Sequence, residues 1–285
     1  MTSIEQSDET FMQWMRHNLR HAAGHFGLTL TSEPVFGWRL RSLSASARTR
    51  ANQACWLRVC SEHSRWVREM PELWTGNADA NVIDGVPKPR VLDTLEWEVR
   101  EEDRFVRAEL MTLVSGLPCS PTEVLRGPPN LPDPWWSQLR VALARLANVN
   151  TSRFMAPVGQ REGRVRQVFG DRVADAMRPQ RWETAHGDLH WANVLGPDLV
   201  IIDWELWGRA PAGTDAATLY LFSLPAPETA AQVHDVFADV LGSRHGRIAL
   251  VGVAARILYR ARLGDFPDLA DAVQDHVGEL LRHHR

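Results

Sequence analysis

The sequence predicts an α+β protein in two lobes. A small β-rich N-terminal lobe leads into a larger, mainly helical C-terminal lobe, with a cleft between them. Three observations carry this prediction. Short strand-like segments separated by turn residues recur from residue 35 to about residue 111 around one internal helix. Six prolines crowd residues 116–134 (Pro118, Pro121, Pro128, Pro129, Pro132 and Pro134), the composition of a connection with surface loops. From Thr214 onward, apolar residues recur at helical spacing.

Taken in order, residues 7–24 form an amphipathic helix with Phe11, Trp14, Met15 and Leu19 on one side and Gly24 as its stop. Strands are expected over 35–42 and 55–60, joined by a turn rich in serine and arginine. A helical stretch over 71–83 precedes Val86-Pro87-Lys88-Pro89, which is extended because each proline disfavours helix at its predecessor. Strands follow at 91–92 and 104–113. The pattern divides the chain into an N-terminal lobe (1–111), a hinge (112–116) and a C-terminal lobe (117–285). In the last of these, Asp133-Pro134 starts a helix that carries Trp136, Leu139, Leu143 and Leu146 on one face. Residues 199–202 are a short apolar strand, and helices are expected over 216–222, 228–241, 247–262 and 269–281.

Composition removes several functional classes. The 285 residues are 44% hydrophobic and 24% charged, the balance of a soluble globular chain. A formal net charge of −3 offers no basic field for a phosphate backbone, so no nucleic-acid partner is expected. No apolar run reaches the roughly 20 residues that span a bilayer, and the acidic, polar start is unlike a signal peptide. Three cysteines without zinc spacing (Cys55, Cys60, Cys119) point to a cytoplasmic home. Lys88 is the only lysine; every other fixed positive side chain is arginine, so lysine Schiff-base chemistry is not expected.

The densest chemistry lies in His186-Gly187-Asp188-Leu189-His190-Trp191-Ala192-Asn193-Val194-Leu195, followed ten residues after Asn193 by Asp203-Trp204-Glu205 at the end of an apolar strand. Phosphoryl transfer needs a carboxylate to orient and deprotonate the acceptor, and hard oxygen ligands for Mg²⁺. Asp188 supplies the first; Asn193 and Asp203 supply the second. His186 and His190 are four apart, but no glutamate follows His186 and the stretch reads as loop, so a zinc pair is rejected.

These residues resemble the aminoglycoside and choline kinase-like phosphotransferases, relatives of the protein kinases. HGDLHWANVL is similar to that family's H-G-D-x-x-x-x-N catalytic loop, and IIDWE to its metal-binding turn. Asp215 in Gly213-Thr214-Asp215 is similar to its buried helix-start aspartate, and His186 takes a structural role in the loop. Lys88–Leu92 looks like the family's P-x-V-L strand and Leu110–Gly116 like the interlobe hinge. The resemblance implies a protein-kinase-like fold, ATP or GTP with Mg²⁺ as cofactors, Asp188 as base, and Asn193 and Asp203 as metal ligands. The hinge backbone around Met111, Thr112 and Val114 would meet the adenine.

The nucleotide side departs from the family. There is no G-x-G-x-x-G and no P-loop. Ser42, Ser44 and Ser46 are read as a turn that reaches phosphates, or as a plain polar hairpin. Arg58 stands where the family places its phosphate-binding lysine, with Glu72 or Asp79 as its acid. Trp191, Trp204 and Trp207 would form an aromatic wall for substrate or pack the lobe. Glu205 and the acids Asp265, Asp268, Asp271, Asp275 and Glu279 would line a cleft for a cationic acceptor or form a solvated face.

Three functions follow from this reading. The first phosphorylates a hydroxyl of a small molecule: an aminoglycoside-like antibiotic, an amino-alcohol or a sugar metabolite, in antibiotic resistance or biosynthesis. The second phosphorylates Ser or Thr of a peptide in natural-product biosynthesis, beside a partner lyase. The third is a nucleotide-binding pseudokinase that docks a protein partner.

Overall fold

In the computed structural model, residues 3–157 and 159–282 are described. The chain forms two compact units. One comprises Met1–Asn81 and Pro89–Val114, the other Val82–Lys88 and Ser115–Arg285.

The first unit opens with α1 (Ser3–His25), followed by β1 (Thr29–Leu30), β2 (Val35–Phe36), β3 (Ser42–Arg48) and β4 (Ala54–His63). Then come α2 (Ser64–Glu69), α3 (Pro71–Asp79), β5 (Val91–Val99) and β6 (Arg104–Thr112). The sheet is antiparallel in the order β1-β3-β4-β6-β5, with β2 on β3. Its core is built by period-two alternation. Leu43, Ala45, Leu57, Val59, Val106 and Ala108 point to one face, where Met15, Leu19 and Ala22 of α1 pack on them.

Two expectations fail in this unit. Residues 35–42 are not one strand: Val35–Phe36 pairs with β3, and a 3-10 turn (Trp38–Leu40) with left-handed Arg39 and Leu40 breaks the run. The serines 42, 44 and 46 do not lie on a turn. They alternate along β3 with the buried Leu43, Ala45 and Ala47, and the β3–β4 connection falls at residues 49–53. The small residues hide a strand period behind a polar composition that reads as loop. Helix α2 is a further element that the sequence pattern does not announce.

The second unit runs β7 (Leu117–Pro118), α4 (Asp133–Ala147), α5 (Gln160–Phe169), α6 (Asp171–Ala176), β8 (Trp182–Ala185), β9 (Val194–Gly196), β10 (Val200–Ile201) and β11 (Gly208–Pro211). It ends with α7 (Thr214–Leu221), α8 (Pro227–Val236), α9 (Ala238–Leu241), α10 (Arg244–Ala261) and α11 (Ala270–Arg282). Two small antiparallel sheets, β10-β9-β7 and β11-β8, are set among these helices. Helix α10 is the central element; eleven of its residues are buried. The antiparallel first part and helical later part are the α+β arrangement the sequence predicts. Among the described residues, no helix is long and apolar enough to cross a membrane.

Candidate functional site

Residues 186–193 connect β8 to β9, and residues 202–207 connect β10 to β11, so two short ladders carry the loops of interest. Asp215 at the start of α7 anchors the first loop from beneath. Its carboxylate accepts the His186 amide at 2.7 Å and the Gly187 amide at 2.9 Å. Gly187 is required at its position: its φ is +82°, and a Cβ would meet the Leu206 carbonyl oxygen at 2.7 Å. Burial pushes the Asp215 carboxyl up to about 7, opposed by the two amide hydrogen bonds.

His186 is fully buried. Its Nε2 lies 3.0 Å from the Ile202 carbonyl oxygen, and its Nδ1 accepts the Asp188 amide at 3.3 Å. The ring thus ties the first loop to the strand before Asp203. Burial lowers its pKa to about 4, so it is neutral at physiological pH. This explains why the His186/His190 pair is no zinc site: both His186 nitrogens face backbone. Among the described residues, no three His, Cys, Asp or Glu side chains gather as a metal group.

Asp188 keeps about a quarter of its side chain exposed (23%). Oδ2 lies 3.4 Å from His190 Nε2, and Oδ1 lies 3.4 Å from an Arg256 guanidinium nitrogen on α10. The same Arg256 nitrogen donates to the Gly187 carbonyl at 2.8 Å. Burial works to raise the Asp188 carboxyl, but the charge and hydrogen bond of His190, and then Arg256, hold it well below the usual carboxylate range. It is ionised at neutral pH.

Asn193 is buried and donates Nδ2 to the Asp188 carbonyl at 3.0 Å; the same nitrogen lies 3.3 Å from His190 Nε2. The bond to the Asp188 carbonyl fixes the amide's orientation. The Asn193 backbone carbonyl accepts the Ile202 amide, one residue before Asp203. Asp203 is an exposed carboxylate in a left-handed conformation (φ 63°, ψ 65°) at the head of a 3-10 turn. An all-oxygen set from Asn193 Oδ1 and the Asp203 carboxylate has the donor chemistry of a hard divalent cation.

The aromatic wall is corrected. Trp191, Trp204 and Trp207 are at most 2% exposed. Trp191 stacks on Trp135 at 6.3 Å and donates its indole N–H to Ser223 Oγ at 2.9 Å; the Trp204 indole donates to the Ile201 carbonyl. These rings pack the unit, and their size outweighs their position next to the loop. Glu205, half-buried on the 3-10 turn, offers its backbone carbonyl to Arg153 at 3.4 Å. The acids expected around a cationic acceptor are paired with arginines or solvated. Asp268 pairs with Arg126 at 2.6 Å, Asp265 with Arg260 at 3.0 Å, and Asp271 and Asp275 are exposed on α11, where Glu279 faces Arg282 at 3.9 Å.

In the first unit, Arg58 sits on β4 opposite Glu109 of β6, with Nη1 3.3 Å from the Glu109 carboxylate. Glu109 is almost fully buried and also receives Arg107 at 3.3 Å and Asn77 Nδ2 at 2.9 Å. Nothing in the sequence marks this acid. Glu72 lies in the first turn of α3, and Asp79 accepts the Thr75 hydroxyl at 2.6 Å. Of the hinge residues, Met111 is buried, and the Thr112 amide is taken by the Arg90 carbonyl at 2.9 Å. That amide is therefore not open to a ligand, whereas Val114 lies past the end of β6. Ser42 packs over Gly37, where a Cβ would stand 2.2 Å from the serine Oγ, and Ser46 Oγ pairs with Thr31 Oγ1 at 3.0 Å. The three serines share one face of β3, and Ser44 stands opposite Arg58 in the β3–β4 register.

Arg256 and Glu109 are the principal residues missed from sequence. Arg256 lies 68 positions after Asp188 in a helix whose local pattern marks only core, so no sequence signal singles it out.

Comparison with known proteins places these features in a wider setting. Residues 124–250 match the family model of the phosphotransferase enzyme family. Among solved structures, a thermostable mutant of aminoglycoside phosphotransferase APH(4)-Ia, in ternary complex with AMP-PNP and hygromycin B, aligns with TM-score 0.61. The two are 14% identical, over 93% of this chain and 97% of that one. Amicoumacin kinase hAmiN in complex with AMP-PNP, Ca²⁺ and Ami aligns with TM-score 0.58 at 11% identity, over 93% and 91%. Macrolide 2'-phosphotransferase MphH from Brachybacterium faecium aligns with TM-score 0.52 at 18% identity, over 90% and 97%. The fold is that of these phosphotransferases, a protein-kinase-like fold. A comparison with curated protein sequences finds no match.

Proposed function

We propose that this chain, which resembles the phosphotransferase enzyme family in sequence over residues 124–250 and in fold over nearly its whole length, moves the γ-phosphoryl group of a nucleoside triphosphate to a hydroxyl of a small molecule. The observation that carries the reading is Asp188: an ionised, partly exposed carboxylate on a loop otherwise locked by buried hydrogen bonds.

Asp188 accepts a hydrogen bond from the acceptor hydroxyl and holds its oxygen in position. As the oxygen–phosphorus bond forms and the bond to the leaving nucleoside diphosphate breaks, the hydroxyl proton passes to Asp188. A carboxylate held this far below its usual range is a weak base, so orientation comes first and proton transfer late. Arg256 and His190 prevent the carboxylate from rotating away. Asn193 and Asp203 would hold the divalent cation, which neutralises charge on the phosphate oxygens when bound. Arg58, steadied by Glu109, is assigned to the phosphates, and the backbone beyond Thr112 to the base.

The test is turnover of Mg-ATP with mass spectrometry of products, where transfer adds about 80 Da to a small molecule. Asp188→Asn lowers turnover by about 10²-fold or more with the fold intact. Asp203→Ala abolishes it. Parental rates in either variant remove that residue from its assigned role. The same mass gain on a peptide would favour the peptide-kinase reading instead.

A further inference from the structure

A cavity of about 610 Å³ opens in the second unit, walled by the end of α5, by α6, by the start of α10 and by the end of α11. None of the residues that line it belongs to the loops 186–193 and 202–207. Among the described residues, four arginines line it (Arg172, Arg244, Arg247 and Arg282), and no acid does. Phe169, Val173, Ile248 and Leu281 supply its apolar floor, so its open surface is part guanidinium and part hydrocarbon.

The arginines arrive from three helices, and little answers their charge. Arg172 and Arg244 are exposed and make no side-chain ion pair or hydrogen bond among the described residues. Arg282 meets Glu279 only at 3.9 Å, and Arg247 donates to the Gly242 carbonyl at 2.8 Å. The acids of α6 are engaged by other arginines: Asp171 by Arg166 at 2.5 Å, and Asp175 by Arg178 at 2.8 Å. Arg244 and Arg247 also stand three apart at the head of α10, whose first turn holds no acid. The positive end of a helix dipole disfavours cations, so these two side chains work against the helix that carries them. The cap does not call for them, because Ser243 Oγ already accepts the Gly246 amide at 2.9 Å. Like charges in one concavity raise a positive potential that an anion relieves.

The floor adds a second requirement. A bare inorganic ion would answer the arginines and leave Phe169, Val173 and Leu281, each half-buried, facing water. The volume is that of a pocket for an organic molecule.

We propose that this cavity binds a small amphiphilic oxyanion, with a phosphate or carboxylate head among Arg172, Arg244 and Arg282 and an apolar body on Phe169, Val173, Ile248 and Leu281. Arginine's planar fork pairs with either head, and a doubly charged phosphate answers a cluster of cations better than a carboxylate does. The site stands apart from phosphoryl transfer. Arg244 precedes Arg256 by twelve residues on α10, about 18 Å along the helix axis.

The experiment is calorimetry on the full chain with Mg-AMP-PNP present, so that the nucleotide's own phosphate seats are filled. Five probes are compared below micelle-forming concentrations: octyl phosphate, octanoate, octanol, octylammonium and inorganic phosphate. Octyl phosphate binds at least tenfold more tightly than octanol or inorganic phosphate, octanoate falls between, and octylammonium does not bind. Arg172→Gln combined with Arg244→Gln weakens octyl phosphate about tenfold or more, and circular dichroism checks that this variant is folded. Leu281→Ala weakens octyl phosphate but not inorganic phosphate. Octanol binding as tightly as octyl phosphate would make the arginines mere cover for the floor and overturn the proposal. Octyl phosphate binding unchanged in the folded double variant would place the anion elsewhere, with the same result. Inorganic phosphate binding as tightly as octyl phosphate would overturn the amphiphilic assignment. Mg-ATP turnover is scored separately and matches the parent in the double variant; a tenfold fall there would overturn the separation of this cavity from the Asp188 site. Absence of turnover in the parent would sink the phosphotransfer reading and leave the anion site standing.

Discussion

Replacing Asp215 by asparagine tests the foundation of the catalytic loop through the pH dependence of stability. In the folded chain the carboxyl titrates near 7, whereas in the unfolded chain it titrates near the ordinary value of about 3.9. Between these values the folded state binds one proton more than the unfolded state, so this group makes stability fall as pH rises, by about 1.4 kcal/mol per pH unit. His186 acts in the opposite direction. Its folded pKa of about 4 lies below the ordinary 6.5, so below 6.5 the unfolded state binds the extra proton and stability rises with pH. In the parent the two slopes offset each other between about pH 4.5 and 6.5. Asparagine removes only the first. Stability of Asp215→Asn should therefore climb over that window by about 2 kcal/mol relative to the parent. It should also sit about 1–3 kcal/mol lower at about pH 6.5, because one of the His186 and Gly187 amides loses its acceptor. Urea unfolding followed by tryptophan fluorescence at several pH values measures both. Parallel pH profiles for the two proteins would mean that Asp215 is ionised throughout, and the argument would fail.

Three further outcomes are expected. Glu109→Gln leaves Arg58 and Arg107 facing a neutral amide inside the first unit; stability should fall by about 3 kcal/mol, at the lower end for a broken buried pair because Arg107 retains Glu96 at 3.3 Å, and an unchanged urea midpoint would contradict this. Trp191→Phe loses the hydrogen bond to Ser223 and should cost about 1 kcal/mol while leaving acceptor KM alone; a tenfold rise in KM would return this ring to the substrate. Gly187→Ala places a methyl 2.7 Å from the Leu206 carbonyl oxygen in a left-handed conformation, so both thermal stability and turnover should drop, the former by about 1–3 kcal/mol. A melting curve matching the parent's would show that the loop yields without strain.

Much of the architecture could be read from local patterns. Strand β6 and helices α4, α7, α10 and α11 have the long, regular periodicity that survives tertiary context, and each falls within a few residues of its expected range. Helices α5 and α6 do not announce themselves: in Gln160–Phe169 the apolar residues Val165, Val168 and Phe169 come only in the second half, after a polar start that holds Gly163. The serine-bearing strand β3 is lost to composition: small residues satisfy the alternation as well as large ones but give it no visible amplitude. In the site, residues close in sequence are legible because their spacing is itself the signal, as with Asp188, Asn193 and Asp203. What those groups touch is not. Arg256 and Glu109 come from distant elements, and the burial of Trp191 and Trp204 depends on how α4 and α7 pack around the loop.

The parallel indoles of Trp135 and Trp191 also give the protein an optical signature. Two such chromophores at 6.3 Å, inclined by only 13°, share their excitations. One belongs to α4 and the other to the segment that bears Asp188. Trp136 stands edge-on to both rings, at 5.0 and 6.1 Å, and the near-ultraviolet circular dichroism of this tryptophan cluster should weaken when that segment detaches from α4, even while helix content persists. Loosening around the reactive carboxylate thus becomes visible by spectroscopy, with no label and no knowledge of the acceptor.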